Sequence, residues 1–180
     1  MLKTIKVTKE NLEFTIQIQE EIFPNESGRV NYEEAIAGTQ DYDYYLLYEE
    51  DCVGVIGLYA YPCDAESAWL GWFGIRENFR RRHLGTEAIK IFEKLAEKKG
   101  YKYARLYTDE FDNDVAIAFY QSNGYTCEKY INKDDPACLK YRMLIFSKSL
   151  CGEPIPLWNN KNIHLTEQIE KQESGQLNKQ

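Results

Sequence analysis

At 180 residues with a net charge of −7 and a pI near 5.0, the chain's charge argues against a general nucleic-acid binder, which would usually carry a basic face; an acidic balance suits a cationic partner such as an amine. No run reaches the about 18 apolar residues of a membrane span, and the first residues lack the apolar core of a signal peptide. Five cysteines without a CxxC pair and only two histidines give no metal-site spacing, so a cytoplasmic domain with reduced thiols and no metal is expected.

Alternating residues predict a strand over 2–7. Thr8 can cap a helix whose apolar stripe is Leu12, Ile16, Ile18, Ile22 and Phe23, and Pro24-Asn25-Glu26-Ser27-Gly28 breaks it. A shorter helix is predicted over 32–36, stopped by Gly38. Residues 44–48 and 53–61 flank the polar Glu49-Glu50-Asp51 and read as a hairpin. Residues 68–75, apolar on both faces, read as a central strand; Gly71 and Gly74 inside it mark a bulge or a close approach to the backbone.

The helix predicted over 86–99 buries Ala88, Ile89, Phe92, Leu95 and Ala96 and stops at Gly100. It joins the central strand to another over 103–108, so the two should run parallel. Asp112 or Asn113 caps a last helix over 114–122, and residues 125–130 and 141–147 read as an antiparallel pair. From Cys151 the prolines and the Gln-rich end predict a tail that leaves the core, with one short helix over 163–170. The expectation is one α/β (α+β) domain over 1–150, a mixed sheet of about seven strands with helices on both faces, and a C-terminal tail over 151–180.

Two stretches carry chemistry. In the first, WLGWFGIRENFRRRHLG, a buried strand passes into a helix through a turn. Successive amides at a helix start, with arginines around them, make a pyrophosphate cradle. Arg80-Arg81-Arg82-His83-Leu84-Gly85 resembles the Arg/Gln-x-x-Gly-x-Gly/Ala signature of the GCN5-related N-acetyltransferases (GNAT), with His83 where the family usually has its first glycine. Histidine tolerates positive φ better than most residues. In the second, Asn113 to Tyr125 resembles the family's later motif, Asn-x-x-Ala-x-x-Leu/Phe-Tyr followed by Gly-Phe/Tyr.

The resemblance implies a sheet splayed at a bulge in strand 68–75, with acetyl-CoA in the opening. Phe73, Gly74 and Ile75 would hold its pantetheine arm, and Arg80, Arg81, Arg82, His83, Leu84, Gly85 and Thr86 its pyrophosphate. Asn113 would contact the arm, and Tyr120 would protonate the departing thiolate. Some members carry a glutamate base early on the central strand; that position here is Trp69. The nearby carboxylates are Asp64, Glu66, Asp109 and Glu110, with Glu66 taken first as base. Tyr32, Tyr44, Tyr45, Tyr59, Tyr61 and Trp72 could wall an organic cation.

The resemblance thus implies an acetyl-CoA-dependent acyltransferase acting on a primary amine, with a small molecule as acceptor. The alternatives are a protein N-terminus or lysine as acceptor, or a CoA-binding module without turnover. Neither nucleic acid nor membrane is expected as a partner, and a homodimer is left open.

Overall fold

The computed structural model describes residues 1–39, 41–111 and 113–165. The alternating start forms strand β1 (Lys3–Lys6). Helix α1 (Leu12–Ile22) begins later than a Thr8 cap would place it. Asn11 takes the N-cap position instead, and its side-chain oxygen accepts the Thr8 amide at 2.8 Å, which turns the chain before the helix can start. Helix α2 (Arg29–Ala37) starts directly after Gly28 and ends at Gly38, whose φ of 68° suits glycine. Strands β2 (Tyr42–Tyr48) and β3 (Cys52–Tyr59) form the expected hairpin.

The central strand is two pieces, β4 (Ser67–Leu70) and β5 (Gly74–Ile75), both antiparallel to β3. Leu70 lies opposite Leu58 and Gly74 opposite Val55, so three residues (Gly71, Trp72, Phe73) face two (Gly57, Ile56). That one extra residue is the bulge the glycines predicted. Helix α3 (Leu84–Lys98), strand β6 (Tyr103–Asp109), helix α4 (Asp114–Ser122), strand β7 (Thr126–Lys129), a short helix α5 (Pro136–Lys140) and strand β8 (Met143–Ser149) follow. Helix α5 was not legible as a helix; its five residues are too few for periodicity.

The sheet has eight strands in the order β1-β2-β3-β4-β6-β8-β7, with β5 on β3. Among the described strands only β4 and β6 run parallel, and they pair at just three positions: Ser67, Ala68 and Trp69 opposite Tyr103, Ala104 and Arg105. Beyond Trp69, β4 turns toward its bulge while β6 continues to Asp109 on β8. The sheet therefore opens between them. One core cluster lies under α1 and α2 and includes Ile16, Tyr32, Tyr44 and Trp69; the other lies under α3 and includes Leu84, Ile89 and Phe92.

Among the described residues after Cys151, the chain returns to the core rather than leaving it. Trp158 and Leu165 are fully buried, with Trp158 edge-on to Trp69 at 4.7 Å. Fully buried Arg105 anchors the same segment, donating from Nη2 to Pro156 O at 2.7 Å, and the Glu128 carboxylate accepts the Trp158 and Asn159 amides at 3.0 Å each. The prolines favour an extended backbone here, and the buried Trp158 ring pins a segment that otherwise stays at the surface. Of the helix expected over 163–170, residues 163–165 are not helical and the rest lies outside the described residues.

Candidate active site

The opening between β4 and β6 is a cleft of about 620 Å³. One wall is the bulge (Gly71, Trp72, Phe73) and the other the end of β6 (Tyr107, Thr108, Asp109). The Gly71 amide reaches Gly57 O at 2.8 Å, and the extra residue leaves the Trp72 and Phe73 amides off the ladder. Unpaired amides beside an opening are donors for a ligand.

Past β5 the chain makes the arginine turn. Arg81 and His83 both have φ of 61°, so His83 adopts the left-handed conformation that glycine would take more cheaply. Helix α3 starts at Leu84, two residues before the sequence placed it. Its first intrahelical bond runs from Glu87 N to His83 O at 3.1 Å, so the Leu84, Gly85 and Thr86 amides precede it at the positive end of the helix. Gly85 is small for a packing reason: a Cβ there would stand 3.3 Å from the Phe119 ring of α4.

The arginines divide. Arg80 Nε donates to Ile75 O at 2.9 Å and ties the turn back to β5, and Arg82 pairs with Glu49 at 2.7 Å. Arg81 is exposed. An anion at this turn would therefore meet chiefly backbone amides.

Asn113 and Tyr120 both line the cleft. Asn113 sits at the N-cap position of α4 without a side-chain capping bond; its Nδ2 donates instead to Asp109 Oδ1 at 2.8 Å, while Asp112, the other proposed cap, lies outside the described residues. Tyr120 packs on Phe146 at 5.4 Å, and burial holds its phenol well above the ordinary range, so it keeps its proton at neutral pH.

Glu66 is misplaced for a base. It precedes β4, at the end of that strand away from the opening, and pairs with Lys102 at 3.2 Å. Asp64 pairs with Lys161 and Glu110 with Arg142, and neither lines the cleft. Asp109 does, though its Oδ1 already accepts the Phe111 amide at 2.9 Å as well as Asn113. Trp69 is fully buried beneath Tyr59, Tyr61 and Trp158.

The carboxylate that sequence reasoning missed is Glu26. It lies in the break between α1 and α2, half-buried, and lines the cleft. Burial, then the nearby Asp109 charge, raises its carboxyl above the ordinary value. Buried Gln19 positions it, donating to Glu26 O at 3.2 Å and accepting the Gly28 amide at 2.8 Å. The only signal was a helix break holding a carboxylate. Of the proposed aromatic wall, Tyr44, Tyr59 and Trp72 line the cleft, with Trp72 Nε1 held by Asn31 Oδ1 at 2.9 Å. Tyr32 lies behind Tyr44, Tyr45 packs on the opposite face, and Tyr61 packs on Trp69.

A sheet splayed at a bulge, with an amide turn at a helix start beside it, defines an acyl-CoA N-acyltransferase fold. The profile of the acetyltransferase (GNAT) family matches residues 12–125; the chain belongs to this family and is an acyltransferase. A search among curated proteins finds no match.

Among solved structures, Arabidopsis thaliana NAA60 in complex with acetyl-CoA aligns with a TM-score of 0.64 at 15% identity, covering 84% of this chain and all (100%) of that one. The ribosomal-protein-S18-alanine N-acetyltransferase of Escherichia coli aligns at 0.62 and 17%, covering 88% and 99%. The PaiA N-acetyltransferase of Thermoplasma acidophilum, in complex with coenzyme A, aligns at 0.61 and 19%, covering 83% and 99%. Among the described residues no helix is long and apolar enough to cross a membrane.

Proposed function

We propose that the protein transfers acetyl from acetyl-CoA to a primary amine on a small organic molecule. The observation that carries this reading is the carboxyl pair Glu26 and Asp109, within electrostatic reach of each other in an aromatic-walled cleft beside the bulge. Two acids and aromatic faces suit an organic cation.

The donor's pyrophosphate fits the amides of Leu84, Gly85 and Thr86, with Arg81 beside them, and its pantetheine arm fits the backbone from Phe73 to Ile75, with Asn113 opposite. The acceptor arrives as an ammonium ion held by the two carboxylates. Glu26 relays one ammonium proton through water to solvent and returns to its carboxylate form, and the neutral nitrogen attacks the thioester carbon. As the C–N bond forms, the Phe73 amide supports the developing oxyanion, and Glu26 takes the remaining excess proton from nitrogen. The C–S bond then breaks, and Tyr120 donates toward the departing sulfur.

Replacing His83 tests the cradle. His83→Gly removes a left-handed strain of about 1 kcal/mol, partly offset by the greater unfolded-state freedom of glycine. Denaturant unfolding is expected to show unchanged or slightly higher stability, and a CoA titration an affinity equal to wild type or better. A several-fold weaker affinity would mean that the imidazole itself holds the ligand.

The reading as a whole is tested by incubating the protein with acetyl-CoA and polyamines, amino sugars, amino acids and peptides while following free thiol. Turnover on small amines without turnover on peptides is expected. Turnover on peptides alone would make the acceptor a protein, and CoA binding without any turnover would make the chain a binding module.

A further inference from the structure

Tyr44 of β2 sends its ring across β3 toward the bulge, and two glycines make room for it. A Cβ on Gly57 would stand 2.2 Å from Tyr44 Cε1, and one on Gly71 would stand 2.8 Å from the same atom and 2.9 Å from the hydroxyl oxygen. The hydroxyl therefore ends beside Gly71, at the position where β4 has parted from β6. Tyr44 is only 3% exposed, yet it lines the cleft with Glu26, Asp109 and Tyr120. No side-chain or backbone group among the described residues is placed to hydrogen-bond its hydroxyl, whose oxygen faces the cleft. The ring is buried while the oxygen is not sealed from the cleft, so a bound ligand can take the place of water on it.

Resting on the acetyl-transfer reading, we propose that the Tyr44 hydroxyl orients the attacking amine by accepting a hydrogen bond from one of its N–H groups. A neutral primary amine has two N–H bonds and one lone pair. With Glu26 taking one N–H, the nitrogen can still rotate about that bond and swing its lone pair away from the thioester. A second acceptor, on the bulge side, fixes all three directions. Burial and the neighbouring Tyr32, Tyr42 and Tyr107 hold the phenol protonated, so its oxygen accepts while its own proton stays in place. Tyr44 acts here by positioning and takes no proton from the substrate.

The test compares wild type, Tyr44→Phe and Tyr32→Phe on a primary amine and its N-methyl derivative. Tyr44→Phe keeps the ring between its glycines; Tyr32→Phe removes a buried hydroxyl behind that ring, from a residue that does not line the cleft. Tyr44→Phe is expected to lower kcat/KM for the primary amine about tenfold while leaving the KM for acetyl-CoA within about twofold. The N-methyl amine has a single N–H to give, so its rate should fall much less, and the preference for the primary amine should shrink in this variant alone. Equal rates for Tyr44→Phe and wild type, or an equal loss in Tyr32→Phe, would overturn the role. If wild type acetylates no amine, the acetyl-transfer reading itself fails and takes this role with it; wild-type turnover matched by Tyr44→Phe defeats this role alone.

Discussion

Glu26→Gln is expected to lower kcat/KM for the amine by about 10²- to 10³-fold while CoA affinity stays near wild type. Glutamine keeps the shape and the hydrogen-bonding oxygen but cannot take a proton. Glu26 is a better probe than Asp109, because Asp109 Oδ1 also holds the Phe111 amide and the Asn113 side chain, so Asp109→Asn would disturb the β6–α4 turn along with any chemistry. A change of less than about threefold in Glu26→Gln would move the base elsewhere, since general-base catalysis is worth far more than that.

The same residue sets a pH dependence. Burial and the Asp109 charge raise the Glu26 carboxyl, so the working, deprotonated form disappears as pH falls through a value above the ordinary carboxylate range. In wild type the acid limb of kcat/KM should lie in that raised window; in Glu26→Gln it should vanish. The sign for stability is the opposite. A carboxyl whose folded pKa is raised makes the folded state pay for ionisation above that pKa, and the cost fades as pH falls below the unfolded value. Glu26→Gln should therefore be no less stable than wild type at neutral pH, with the difference closing in acid. Thermal unfolding across pH checks this, and a variant that lost both activity and stability would point to a structural role instead.

Much of this site was legible because backbone requirements leave marks in sequence. Gly71 and Gly74 announced the bulge, and the observed register carries one extra residue there. The turn before α3 was legible from its place between a buried strand and an amphipathic helix, and the left-handed His83 followed from the glycine it replaces. The proposed base, Glu26, is not legible in the same way. Glu66 is close in sequence to the central strand, but the cleft opens at the C-terminal ends of the parallel pair, and Glu66 lies at the other end. Glu26 is more than forty residues from either motif, and only the Gln19 clamp on the helix break brings it to the cleft. Residues 151–165 differ from their sequence pattern for a related reason. Prolines and polar residues suggest departure, yet Trp158 and the buried guanidinium of Arg105 hold the segment from Pro156 to Trp158 down, and neither contact has any periodicity.

For Tyr120→Phe the expected loss is about 10- to 100-fold in kcat, with the KM for acetyl-CoA nearly unchanged. The size follows from the acid strength of the phenol. Burial pushes it above its ordinary value, so it is always protonated but a weak acid beside a thiol of pKa about 8.5. Full transfer to the sulfur is uphill, and what Tyr120 supplies is a charge-assisted hydrogen bond to the thiolate as the C–S bond breaks, with solvent delivering the proton later. Such a bond is worth less than a matched general acid, which places the effect below the 10³- to 10⁴-fold that full acid catalysis can give. The contribution should also depend on the leaving group. An acetyl thioester of a more acidic thiol develops a better-stabilised thiolate, so the gap between wild type and Tyr120→Phe should narrow with that donor. Packing alone, against Phe146 and Tyr125, would leave the gap the same for both donors, because phenylalanine fills the same space. A donor-independent loss would therefore assign Tyr120 to the core, and an unchanged kcat would remove it from the chemistry.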